Sequence, residues 1–117
     1  MKKEKKGFGV FVRCKRQEQE IGLREMAKKI GVSPTYLSKV ERDEFGPPTE
    51  KRIRAIAEII GCDADKLLAM AGRVSSDIAD IIKKRPTETS VLLRSTKNLS
   101  AEEIEHLTRN VKKTKGD

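Results

Sequence analysis

Histidine occurs once in the 117 residues, cysteine twice, tryptophan not at all, and aromatic side chains make up only 3%. Each shortage removes a class of function. A single histidine, His106, and two distant thiols, Cys14 and Cys62, offer no spacing from which a metal site can be assembled. The thiols read as small reduced side chains of a cytoplasmic protein, in preference to a redox sensor or a disulfide. No serine or cysteine stands in a nucleophile motif, and no glycine-rich loop joins a strand to a helix, so neither an enzyme nor a bound cofactor or metal is expected. Asp63 and Asp65 are better read as helix-capping chemistry than as ligands. No apolar run approaches the roughly 20 residues needed to span a bilayer. The MKKEKK start leads into no signal-peptide apolar stretch, so no membrane association is expected.

Charge, by contrast, is plentiful. Charged residues make up 38% of the chain, and the excess of Lys and Arg gives a formal net charge of +8 with a pI near 9.7. Clustered cations of this kind displace counterions condensed on nucleic acid, which favours a polyanionic partner. Lys2, Lys3, Lys5 and Lys6 form a basic tail over residues 1–7, expected to be mobile, and serve either as an arm along a DNA backbone or as a solubilising segment.

Apolar periodicity organises the rest. Phe8, Phe11 and Val12 begin a helix running to about Gln19. Leu23, Met26, Ala27 and Ile30 recur at three and four residues and stop at Gly31, a helix-terminating residue. Ser33 then suits an N-cap and Pro34 the first helical position, so a new helix starts at once, with Leu37 and Val40 inward and Thr35, Ser38, Lys39 and Arg42 outward. Two helices joined this tightly form a helix-turn-helix. Gly46-Pro47-Pro48 interrupts the chain, Thr49 caps a helix carrying Ile53, Ile56, Ala57 and Ile60 as far as Gly61, and Asp63 caps another that closes near Gly72. Five short helices predict an all-α orthogonal bundle over residues 8–72.

A helical extension is expected over residues 73–117. Val74, Ile78, Ile81 and Ile82 form a stripe ended by Pro86; Val91, Leu92 and Leu93 form a second short apolar cluster; Ile104, Leu107 and Val111 line a third. Ser100 with Glu103 predicts a capping box, with Leu99 and Ile104 as its staple. The closing NVKKTKGD is expected to fray. These stripes serve either as a dimer surface or as packing against the five-helix core.

The helix over 34–42 is roughly 13 Å long at about 1.5 Å per residue, which fits a major groove about 12 Å wide. Its first turn would approach base edges, and the side chains available on the helix and its cap are Ser33, Thr35, Tyr36, Ser38 and Lys39. From about Phe8 to Met70, through LREMAKKIGVSPTYLSKVER and RIRAIAEIIGCDADKLL, the chain resembles the helix-turn-helix domain of the phage repressor, Cro and XRE-type transcriptional regulators. Ala27, Gly31, Val32, Leu37, Val40 and Glu41 carry the likeness. The resemblance implies a five-helix lambda-repressor-like DNA-binding bundle and a recognition helix in which Pro34, Thr35 and Lys39 read bases, while Ser33, Tyr36, Ser38 and Arg42 match or neighbour base- and phosphate-contacting positions. It also implies an internal salt bridge between Arg16 and Glu41. Tyr36 is either such a contact or an edge of the core. The chain departs from the family at Gly22 and Leu23, where Ser, Thr or Asn followed by Gln is usual, and in the acidic Asp43-Glu44 after the recognition helix.

The expected function is therefore sequence-specific binding of double-stranded DNA by a transcriptional regulator, a repressor acting as a homodimer on an inverted-repeat operator. The alternative is an antitoxin-like or other interaction module whose residues 74–113 bind a partner protein.

Overall fold

The structure, a computed structural model, describes residues 7–116; the expectation of a mobile tail over 1–7, either an arm along DNA or a solubilising segment, falls but for Gly7 on residues outside those described. Among the described residues there are eight helices and no strand: α1 (Phe8–Glu18), α2 (Leu23–Ile30), α3 (Pro34–Glu41), α4 (Glu50–Ile60), α5 (Ala64–Met70), α6 (Ser76–Lys84), α7 (Pro86–Ser95) and α8 (Ala101–Lys115). They fall into two compact units, one ending at Ser75 and one beginning at Ser76.

In the first unit, α1 to α5 each contribute one apolar face to a single core. Phe8 and Val12 come from α1, Met26, Ala27 and Ile30 from α2, Leu37 and Val40 from α3, Ile53, Ile56, Ala57 and Ile60 from α4, and Leu67 and Leu68 from α5. Each is buried because apolar residues three and four apart in sequence share one side of a helix. The helix starts are set by side-chain caps. Ser33 Oγ accepts the Tyr36 N–H at 3.0 Å, Thr49 Oγ1 the Arg52 N–H at 3.4 Å, and Asp63 Oδ2 the Lys66 N–H at 3.0 Å. Such caps replace water for helix N–H groups that have no partner within the helix.

Helix ends are closed as deliberately. Gly31 takes φ 79°, so that its own N–H returns to Lys28 O and that of Val32 to Ala27 O. The Arg52 guanidinium then donates to the carbonyls of Ile30 and Gly31, both at 3.3 Å, tying α4 to the end of α2. Gln19 Nε2 donates to Ile60 O at 2.6 Å, and Arg73 donates to the carbonyls of Pro47 and Pro48, which fastens the chain after α5 to the turn before α4.

α1 and the end of α3 approach each other closely at Gly9. A Cβ at Gly9 would overlap the Val40 carbonyl oxygen and stand 2.8 Å from that of Glu41 and 2.7 Å from Asp43 Oδ1. Only glycine lets the two helices meet at this depth.

The second unit differs in having no buried residue on any of its helices. α6 and α7 lie against each other and are joined through Arg85 alone, and Pro86 opens α7 in its first turn, where a missing N–H costs nothing. Val91, Leu92 and Leu93 sit within this full helix, and Val74 precedes α6, in the first unit. The capping box is present: Ser100 Oγ accepts the Glu103 N–H at 3.1 Å, and Glu103 Oε1 accepts the Ser100 N–H at 2.8 Å. Where the closing NVKKTKGD is expected to fray, its described residues are helical as far as Lys115, though exposed throughout. α8 runs to Lys115, because Lys112, Lys113 and Lys115 complement the negative end of its dipole and Gly116, at φ 79°, returns its N–H to the last turn.

Gly9→Ala should lower the stability of the folded protein by about 3 kcal/mol, the scale of an overpacked core. The check is thermal unfolding followed by circular dichroism. An unchanged melting temperature would show that α1 and α3 do not meet this closely.

Candidate nucleic-acid interface

α3 has two faces of different chemistry. Its inner face carries Leu37 and Val40, at 1% exposure each, and Glu41 at 3%. Its outer face carries Thr35, exposed to solvent, with Pro34, Ser38 and Lys39 half-buried beside it. Glu41 lies inside because it meets Arg16 of α1. Arg16 Nε donates to Glu41 Oε2 at 2.8 Å and Nη2 to Oε1 at 3.0 Å, while Nη1 donates to Ile21 O at 2.8 Å. The hydrogen bonds to Glu41 raise the Arg16 pKa; desolvation opposes this, and the charge of Glu41 adds to it. The guanidinium therefore stays charged, and the bidentate geometry fixes the roll of α3 about its axis.

The remaining side chains of the recognition segment are held by local contacts. Ser33 spends its hydroxyl on the α3 cap. Tyr36 is half-buried against the core and stacks on Phe45, with ring centroids 5.7 Å apart at 44°. The Lys39 ammonium lies 5.2 Å over the same Phe45 ring, a cation–π contact that holds a flexible side chain near one position. Arg42 caps α3, donating from Nε to Ser38 O at 3.3 Å, and its Nη1 lies 3.3 Å from Glu44 Oε2.

The acidic turn after α3 divides its two charges. Glu44 pairs with Arg42, whereas Asp43, at φ 61°, sends its carboxylate toward Gly7 and Gly9 at the start of α1. α1 has no acidic residue in its own first turn, and Asp43 supplies that charge to the positive end of its dipole.

Pro34, Thr35, Ser38 and Arg42 line one open cleft together with Gly22, Leu23 and Arg24 at the start of α2. A second hollow on the same side is bounded by Arg13, Arg16, Gln17 and Leu23, and by Ser38, Glu41 and Arg42 of α3. Tyr36 and Lys39 turn instead toward Phe45. Sequence reasoning overlooked Phe45, Arg13 and Arg24. Phe45 sits in a turn whose partners Tyr36 and Lys39 are visible only in space, whereas Arg13, one helix turn before Arg16, and Arg24, the residue after Leu23, carried a usable signal of charge.

No group of His, Cys, Asp or Glu that could hold a metal occurs among the described residues, and no described helix is long and apolar enough to cross a membrane. What remains is a short helix displayed outward beside a cationic cleft, the arrangement of a helix-turn-helix protein. The helix-turn-helix family profile matches residues 13–67. The ImmF control region 10 kDa protein of Bacillus phage phi105 is 39% identical over 62 residues, covering 53% of this chain and 68% of the phage protein. An uncharacterized HTH-type transcriptional regulator of Mycobacterium tuberculosis is 30% identical over 87 residues, covering 74% of this chain and 61% of the regulator. The solution structure of the DNA-binding domain of the P22 c2 repressor superposes with a TM-score of 0.50 at 27% identity, over 56% of this chain and 86% of that domain. The chain belongs to the XRE and phage repressor type of helix-turn-helix family, whose members are DNA-binding transcriptional regulators and not enzymes.

Glu41→Ala leaves the Arg16 charge buried without its partner and should cost about 3 kcal/mol. Replacing both residues, Arg16→Met with Glu41→Leu, should recover most of that loss. Chemical denaturation of the single and double variants checks both, and a double variant as unstable as the single one would contradict the account.

Proposed function

We propose that this regulator is a repressor that binds, as a homodimer, an inverted-repeat operator in double-stranded DNA and occludes it. The observation that carries the reading is the outer face of α3, where Thr35, Ser38 and Pro34 stand beside a cleft and Lys39 is held over Phe45. Thr35, Ser38 and Lys39 are the donors and acceptors for base edges; Pro34 offers van der Waals contact, for example to a thymine methyl. Ser33, Tyr36 and Arg42 border this face and act on the backbone or on flanking bases. The name of the P22 c2 repressor supports repression over activation.

The dimer rests on energetics and on the second unit. One short helix reads about four base pairs, too few for an operator, whereas two related by a two-fold axis read half-sites about 34 Å apart. In the extension, residues 73–117, Ile81, Val91, Leu92, Leu93, Ile104, Leu107 and Val111 are all exposed, and no helix of the unit buries a residue. A unit of this size with no core of its own is stabilised by association. The same apolar surface supports the second reading, an antitoxin-like module whose residues 74–113 take a different protein. The cytoplasm is the compartment that accompanies either reading, and the free thiols Cys14 and Cys62 are in keeping with it.

Selection of bound sequences from a random duplex library at about 150 mM salt, where non-specific binding is weakened, tests the first reading. Enrichment of an inverted repeat with half-sites one helical turn apart is the expected result; no enrichment sends the assignment to the protein-partner reading. On the selected sequence, Lys39→Ala should lose about 1–3 kcal/mol of binding and relax the preference at one base pair. Equal loss on random DNA would make Lys39 a phosphate contact instead.

A further inference from the structure

The arginines of the first unit divide into two groups. Arg16 is bound to Glu41 and Ile21 O, Arg42 to Ser38 O and Glu44, Arg52 to the end of α2, Arg54 to Glu50 at 3.1 Å, and Arg73 to the carbonyls of Pro47 and Pro48. Each has an internal acceptor. The other two, Arg13 and Arg24, have no hydrogen bond or ion pair among the described residues, and both are exposed.

Their positions are not scattered. Arg24 lines the cleft with Pro34, Thr35 and Ser38, and Arg13 lines the neighbouring hollow with Ser38, Glu41 and Arg42. The two hollows share Leu23, Ser38 and Arg42, so the unpaired guanidinium groups border the same strip of α3 from α1 and from α2. Leu23, which opens α2, has no polar group to offer there.

A helix seated in a major groove is flanked by the phosphates of the two strands. Guanidinium groups match phosphate oxygens with two parallel hydrogen bonds, and an arginine free of internal acceptors gives up no existing bond when it binds one. We propose that Arg13 and Arg24 are the phosphate-binding residues that seat α3 in the groove, contributing affinity and orientation without reading sequence. The assignment rests on the DNA-binding reading above. It divides the labour of the site: Arg13 and Arg24 take the backbone, and the outer face of α3 takes the bases.

The test is a salt titration of binding, by fluorescence anisotropy, to the selected duplex and to a random-sequence duplex. It compares the parent protein with R13A, R24A, the double variant, R13K with R24K, and R54A as a control arginine already paired with Glu50. Each alanine variant should bind several-fold more weakly on both duplexes. The slope of log K against log salt should fall in magnitude by about 0.9 for each contact removed, and by about twice that in the double variant. The lysine variants should restore the slope, since they retain the charge, while R54A leaves it unaltered. Melting temperatures should match that of the parent protein, because neither side chain has an internal partner to lose. A double variant with the parental slope overturns the assignment, and so does a loss confined to the selected duplex, which would make these residues base readers. If the parent protein itself binds neither duplex, the DNA-binding reading fails first and this assignment with it, an outcome distinct from parental binding with an unchanged slope.

Discussion

One guanidinium organises the DNA-binding unit. Arg16 reaches from α1 to Glu41 on α3 with two bonds and to the Ile21 carbonyl ahead of α2 with a third, so three segments are referred to a single planar group. Burying a charged pair carries a large desolvation cost, and a well-packed apolar pair is often no less stable. The fork geometry contributes direction: it permits one roll of α3 and one only. Gly9 sets the complementary quantity, the depth at which α1 crosses α3, by leaving the Val40 and Glu41 carbonyls unobstructed.

The same geometry explains how a chain of net charge +8 spends its cations. Part of that charge is structural. Arg52 and Arg73 satisfy carbonyls that lack helical partners, and Arg16 holds the bundle together. The acidic residues close to α3 are likewise occupied, Glu41 inside the core, Asp43 at the start of α1 and Glu44 on Arg42. The electrostatic character of the outer face is therefore set by a few residues and not by the overall balance of the chain.

The parts of this architecture legible in sequence are those with local causes. Ser33, Thr49, Asp63 and Ser100 announce helix starts because a cap bonds an N–H three residues ahead, and Gly31 and Gly61 announce stops because the left-handed conformation is local to one residue. The apolar stripes of α1 to α5 place the core for the same reason. Contacts across space were not legible from spacing. Nothing near Asp43 in the chain indicates that it faces α1, nothing near Phe45 that Tyr36 and Lys39 gather on it, and the Arg16–Glu41 pair entered through resemblance alone. The end of α8 extends further than expected because Lys112, Lys113 and Lys115, exposed as a solvated end would be, also stand in the last turn, where they stabilise the helix.

The two faces of α3 also bear on how such a protein changes over time. Leu37, Val40 and Glu41 hold the helix from within, whereas Thr35 is exposed and Ser38 only half-buried. Substitutions on that outer strip alter the chemistry displayed to a ligand with small effect on folding. A lineage can therefore drift to new recognition preferences through steps that each leave a folded protein, and a combinatorial library confined to those positions inherits the same latitude.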